Sequence, residues 1–122
     1  MSVIPVGTAA PPVPGVDLSG TRTVLFYKVT CPVCQMAAPL AERLAQAYPE
    51  TVVAIGQDSP EQLARFGDRY GWSFGSTPDL PPYDASEAYG IRVVPTVVVV
   101  DEGTVTDVVE SWDRDGWNRR ED

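Results

Sequence analysis

Histidine does not occur in the 122 residues, cysteine occurs twice, and bases are outnumbered by acids, nine to 17. Without imidazole, no Ser-His or Cys-His pair and no histidine-ligated metal site can be built, because the one side chain that titrates unperturbed near neutrality is missing. The net charge of −8 opposes sequence-independent attraction to phosphate backbones and anionic membranes, which takes clustered Lys and Arg. Neither nucleic acid nor membrane is an expected partner. Zinc and iron-sulfur sites need four ligands, and two thiolates supply half of one. Residues 1–20 hold Pro5, Pro11, Pro12, Pro14 and three glycines, without the basic start and apolar core of a secretory signal or the length of a membrane span. A cytoplasmic location is therefore expected, where a cysteine pair is more often catalytic or metal-binding than structural.

What is present suffices for one domain, 1–122, in which residues 1–20 form a Pro/Gly-rich extended segment. A chain of this length buries roughly two-thirds of its unfolded surface without metal or disulfides. Thr23 to Val29 is an almost continuous β-branched and aromatic run, the pattern of a strand buried on both faces. Cys31 and Cys34 follow. Met36, Leu40, Leu44 and Tyr48 then recur every four residues with Ala37, Ala41 and Ala45 beside them, which predicts an amphipathic helix kinked by Pro39. Thr51 to Gly56 is a second strand. Ser59, Pro60 and Gln62 spell a capping-box start for a helix that buries Leu63, Phe66 and Tyr70 and stops at Gly71. Trp72 to Tyr83 carries three prolines and no periodicity, and reads as loop. Asp84 is placed as the cap of a short helix ending at Gly90. Val97 to Val100 form a strand covered on both faces, Asp101-Glu102-Gly103 a hairpin turn, and Thr104 to Val109 the outer strand. Ser111 to Arg120 is a candidate last helix. Trp72, Trp112 and Trp117 are read as core or rim aromatics. Alternation of strand and helix followed by a hairpin predicts an α/β domain with a mixed sheet flanked by helices.

The chemistry is concentrated in Cys31-Pro32-Val33-Cys34. A disulfide closing so short a loop has little value as a staple. At the end of a buried strand and the start of a helix, unpaired N–H groups and the positive end of the dipole favour a thiolate. Cys34, one turn on, lies within reach and on the same face. Cys31 is therefore expected to attack a partner disulfide, and Cys34 to attack Cys31 in turn and release the product. A metal shared between two chains and simple packing are the competing readings of the pair.

Two separate regions then resemble the thioredoxin superfamily. Phe26 to Pro39, with Cys31, Cys34 and a proline five residues after the second cysteine, is similar to its active-site strand and helix; Tyr89 to Thr96, followed by an apolar strand, resembles the segment carrying its cis-proline. Gly7 to Pro11 and Asp84 to Gly90 look most like the peroxiredoxin-related thiol-disulfide oxidoreductases of the TlpA and ResA type. The resemblance covers about 100 residues. It implies a thioredoxin-like fold, no cofactor, a cis Val94-Pro95 bond, and a substrate-contacting set of Thr30, Pro32, Val94 and Pro95. The implied partners are protein or small-molecule disulfides and dithiols, with a thioredoxin-reductase-type or other thiol electron donor. The rival is a redox-inert thioredoxin-like binding module, or a dimer holding a metal or cluster between two Cys-x-x-Cys pairs.

Departures from the pattern are equally specific. Thr30 stands where thioredoxins carry Trp, Pro32-Val33 replaces Gly-Pro, Leu25 replaces the buried acid of the active-site strand, and Ala37 replaces the glutamate of ResA-type proteins. No base for Cys34 can be named from the sequence. Lys28 is a candidate electrostatic neighbour. Peroxiredoxins carry Thr three residues before the peroxidatic cysteine, and Lys28 and Cys31 occupy those places before Cys31 and Cys34.

Overall fold

A computed structural model describes residues 3–110. The proposed helix over Ser111 to Arg120, with Trp112 and Trp117, lies outside the described residues. Five strands form one sheet in the order β3-β2-β1-β4-β5. The central strand β1 (Thr21–Tyr27) pairs in parallel with β2 (Val52–Gly56), which pairs in parallel with β3 (Ser76–Pro78). On its other side β1 pairs antiparallel with β4 (Thr96–Asp101), which returns as β5 (Thr104–Glu110). Helices α1 (Pro32–Ala47), α2 (Pro60–Arg69) and α3 (Asp84–Ala88) complete the α/β fold.

Because side chains alternate along a strand, the apolar runs split into two cores. Leu25, Tyr27, Ala54, Val97 and Val99 face one way, against Cys34, Ala37, Ala38, Ala41 and Leu44 of α1 and Leu63 and Phe66 of α2. Val24, Phe26, Ile55, Val98 and Val100 face the other way, against Tyr89 and the N-terminal residues Val13, Ile4, Ala10, Val16 and Leu18. The Pro/Gly-rich segment is thus the cover of the second core. Its backbone is fastened along β5, with Gly7 N–H donating to Val105 C=O, Val105 N–H to Thr8 C=O and Ala10 N–H to Gly103 C=O. The Tyr89 hydroxyl donates to Pro11 C=O at 2.7 Å.

Several expectations shift. β1 ends at Tyr27, two residues before the predicted end, because Lys28 C=O accepts the Cys31 N–H at 3.2 Å and turns the chain toward α1. The buried stripe of α1 is the alanine row with Cys34 and Leu44, whereas Met36 and Tyr48 are exposed, at 55% and 38%. Small side chains let the helix sit close on the sheet. The capping box of Ser59 and Gln62 forms as predicted. The turn at Glu102-Gly103 has positive φ at both positions, the conformation that lets a two-residue hairpin follow the strand twist.

The stretch read as loop contains β3, a three-residue strand too short and too rich in proline to show a period. Asp84 does not cap α3. The residue before it, Tyr83, is the left-handed N-cap and supplies no side-chain bond. Asp79, buried in the preceding loop, does the capping: its carboxylate accepts the N–H groups of Ala85 and Ser86 and the Ser86 hydroxyl at 3.1, 2.9 and 2.6 Å. Ser86 Oγ in turn accepts from Gln57 Nε2 at 2.9 Å, which ties α3 to the end of β2. Replacing Asp79 by Ala leaves these donors unsatisfied, at roughly 1–3 kcal/mol for each buried group. We expect Asp79→Ala to cost about 3 kcal/mol, read as a lowered urea midpoint; an unchanged midpoint would contradict this account of the network.

Candidate active site

The central strand delivers the chain to the site through three residues, Lys28 to Thr30. The Val29 peptide in the middle is held by side chains from two other elements. Its N–H donates to Asp58 Oδ2 at 2.8 Å, and its C=O accepts from Gln35 Nε2 at 2.9 Å. Asp58 lies between β2 and α2, and Gln35 on the first turn of α1. Parallel β1 and β2 end side by side, so their following loops meet at one edge of the sheet.

Cys31 is the N-cap of α1, with extended backbone and Pro32 in the first helical position. Its Sγ accepts the Cys34 N–H at 3.4 Å, the place a serine or aspartate oxygen takes at other helix starts. The Cys31 thiol also donates to Val94 C=O at 3.5 Å. Both cysteines are free thiols, Cys31 half-buried and Cys34 3% exposed. The Cys34 thiol is raised to about 12, chiefly by burial and also by the bond to Cys31, the charge of Cys31 and the Asp58 carboxylate, against an opposing effect of the Lys28 backbone.

The Val94-Pro95 bond is cis, as the resemblance implied. Thr96 Oγ1 donates to Val93 C=O at 2.7 Å, and Arg92 reaches Glu110 with Nε and a terminal nitrogen at 3.1 and 2.7 Å, holding this loop against β5. The Pro95 ring is buried. Thr30 and Pro32 are exposed, and Val94 is half-buried with its carbonyl on Cys31. Val93, beside Val94, and Met36, one turn along α1 from Pro32, are exposed apolar side chains. Contact with Cys31 thus comes from the Val94 backbone.

Asp58, Gln35 and Tyr27 are the neighbours that sequence reasoning missed. Tyr27 is 1% exposed, shares a 2.6 Å hydrogen bond with Ser76 Oγ, and is raised to about 12 by burial, then by the charges of Asp58 and Cys34. The signal for Asp58 was its place just past the end of the strand adjacent to β1. Among the described residues no group of three metal-ligating side chains occurs, and no helix is long and apolar enough to cross a membrane.

Residues 12–108 match the AhpC/TSA family. The chain belongs to this family. Within it, the chain is similar to the thiol-disulfide oxidoreductase ResA of Halalkalibacterium halodurans, 36% identical over 91 residues that make up 70% of this chain and 51% of that protein. The chain spans about half the length of the curated relatives it matches. Its fold is that of the thioredoxin domain of a thiol-disulfide oxidoreductase from Bacteroides vulgatus, with a TM-score of 0.79, 21% identity and 95% of each chain covered. It is also that of a secreted Mycobacterium tuberculosis disulfide oxidoreductase, with a TM-score of 0.73, 21% identity and 93% and 91% covered. The thioredoxin-like architecture expected of this AhpC/TSA member is therefore present.

The two thiols should react unequally. With Cys34 at about 12, only about one in ten thousand of its molecules is thiolate at pH 8. Iodoacetamide at that pH should modify one cysteine per native chain, Cys31, and both in urea, as read by mass spectrometry of the peptides. The same shift links stability to pH. A thiol raised on folding stabilises the native state below the unfolded thiol's value near ~8.5, and that contribution is lost as pH rises toward about 12. Tyr27 and Tyr89, both raised to about 12, act in the same direction. Cys34→Ala should therefore show a shallower alkaline loss of stability.

Proposed function

We propose that the protein is a dithiol-disulfide oxidoreductase in which Cys31 is the nucleophile and Cys34 the resolving thiol. The observation that carries this is the asymmetry of the pair: one sulfur reachable from outside at a helix N-cap, the other buried behind it, with the Cys34 N–H on the Cys31 sulfur. Attack by Cys31 on a partner disulfide forms a mixed disulfide and releases one partner sulfur as thiolate. Attack by Cys34 on Cys31 then breaks the mixed bond, leaves a Cys31-Cys34 disulfide and releases the second partner sulfur. Run backwards, the same steps oxidise a partner dithiol. The 36% identity with a ResA oxidoreductase supports the reading. Lys28 in the place of the peroxidase threonine favours disulfide exchange over peroxide reduction.

Partners are extended segments around a disulfide, able to lie along the Val94 backbone as a short strand and to cover Val93, Pro32 and Met36. The substrate-contacting set is Thr30, Pro32, Val94 and Pro95, the last through the backbone shape it imposes. A thiol donor of the thioredoxin-reductase type is proposed to reload the dithiol. A cytoplasmic location is a proposal. Cell fractionation checks it, and recovery in the envelope or the medium would replace it.

In an insulin-reduction assay with dithiothreitol, Cys31→Ser should abolish turnover, whereas Cys34→Ser should accumulate a mixed disulfide visible on a non-reducing gel. Wild-type turnover in Cys31→Ser would overturn the assignment. About half an equivalent of metal per chain, lost in either cysteine variant, would replace it with the metal-sharing dimer.

A further inference from the structure

Cys31 is flanked by chain from both sides of the central strand. In the order β3-β2-β1-β4-β5, the segment entering β4 brings Val94 to one side, and the segment leaving β2 leads into α2 on the other. The Val94 side is the strand-pairing surface already described. The α2 side holds a cavity of about 260 Å³, lined by the apolar groups of Val29 and Phe66 and the polar groups of Gln62, Arg65 and Arg69. Residues 62, 65, 66 and 69 share one helix face, because positions three and four apart are neighbours. Val29 ties this cavity to the nucleophile. Two trans peptides separate it from Cys31, so the two Cα atoms are at most about 7.6 Å apart.

Both guanidiniums lack an acid. Among the described residues Arg22 pairs with Asp17 and Arg92 with Glu110, whereas Arg65 and Arg69 form no ion pair. Arg69 lies over the Tyr70 ring at 5.4 Å, a contact that supplies no carboxylate. The neighbouring acids are engaged elsewhere or stand apart. Asp58 accepts from the Val29 N–H, Asp68 lines a separate cavity with Trp72, and Glu61, one turn before Arg65, is exposed and unbonded to it. In a chain of net charge −8, two arginines without acids on one helix face beside the nucleophile stand out from the rest of the surface. The cavity volume lies below the roughly 300–1,000 Å³ of small-molecule sites and suits one side chain of a larger partner.

We propose that this cavity receives an acidic side chain of the partner, so that the protein exchanges preferentially with disulfides that carry Asp or Glu two or three residues from the reactive cysteine. The inference rests on the exchange reading above and names the partner chemistry of that same site. An extended chain advances about 3.3–3.6 Å per residue. With a partner sulfur on Cys31, the side chain two or three positions away therefore reaches the Val29 wall. Guanidinium N–H groups match a carboxylate, and Val29 and Phe66 cover the methylenes that carry it. The long-range field of a negative chain repels acidic segments, so the preference is local to these two arginines.

Two disulfide peptides test this, identical except that Glu or Gln stands two and three residues from each cysteine. Each is reduced by the dithiol form of the full chain, and the ratio of second-order rate constants, Glu over Gln, is read by chromatography of the quenched reaction. Wild-type protein should favour Glu about fivefold at low salt, falling toward one at high salt. Arg65→Gln with Arg69→Gln should bring the ratio to one or below. Arg22→Gln removes a positive charge at the start of β1, away from the site, and should keep the preference. A wild-type ratio near one overturns the proposal and needs no variant; so does a fall in Arg22→Gln as large as that in Arg65→Gln alone. Oxidised glutathione carries carboxylates without an extended chain to lie along Val94. If its rate depends on the two arginines as strongly as that of the Glu peptide, the occupant is a small anionic disulfide and the partner-segment proposal fails. Wild-type protein that reduces neither peptide nor the neutral hydroxyethyl disulfide defeats the exchange reading and this inference with it, whereas reduction of hydroxyethyl disulfide with a peptide ratio near one defeats the preference alone.

Discussion

The structure turns on how the chain leaves the central strand. β1 is hydrogen-bonded on both edges and packed on both faces, so its end is fixed before any site is built upon it. Three residues then reverse into a helix. A turn this tight leaves the Val29 N–H and C=O without partners in strand or helix, and buried backbone groups of that kind must be satisfied. Asp58 and Gln35 satisfy one each. Their bonds draw together β2, the turn and α1, and set where Cys31 meets the Val94 carbonyl.

From that junction the difference between the two thiols follows without further devices. Cys31 is the cap, so its sulfur sits at the helix start between the Cys34 N–H and the Val94 carbonyl. Cys34 is one turn inside, on the face that also carries Ala37, Ala38 and Ala41, and that face lies flat on Leu25, Val97 and Val99. The alanines are what allow the flat seating. Larger side chains would lift the helix start and expose the second sulfur. Nucleophile and reserve are therefore consequences of packing, with the chemistry of two identical residues separated by the burial of one.

The sequence was most legible where one physical demand acted alone. Four successive valines have no use except burial on both faces, and Val97 to Val100 lie in such a strand. Ser59, Pro60 and Gln62 satisfy a local hydrogen-bond problem and form the cap they spell. The cysteine pair was legible because the chemistry needs few residues at fixed spacing, and the cis Val94-Pro95 bond because the segment around it resembles that of the thioredoxin superfamily. Legibility failed where a long-range partner decided the outcome. Met36 and Tyr48 looked like the inner stripe of α1 because they are large and apolar, but contact distance to the sheet favoured alanine. β3 exists because β2 offers an open edge, and nothing within Ser76 to Pro78 announces it. Asp84 lost the capping role to Asp79, which is near α3 only after the loop has folded. Asp58 escaped notice for the same reason, since its neighbours are set by the parallel pairing of β1 and β2.

The segment from Ile4 to Pro11, laid along β5 and bonded to Tyr89, has a consequence for how the protein assembles. Ala9 bridges to Thr104, 95 positions later. The surface on which this segment rests consists of the β4–β5 hairpin and the residue that follows α3, all made near the far end of the described chain. During synthesis the strap has nowhere to settle until the hairpin has emerged, and the apolar face of Val24, Phe26 and Ile55 waits uncovered in the interval. Contacts of such sequence separation slow folding and leave intermediates sticky. The prolines and glycines of the strap suit that delay: a segment with little helical or strand preference of its own stays out of other partnerships until its seat is complete.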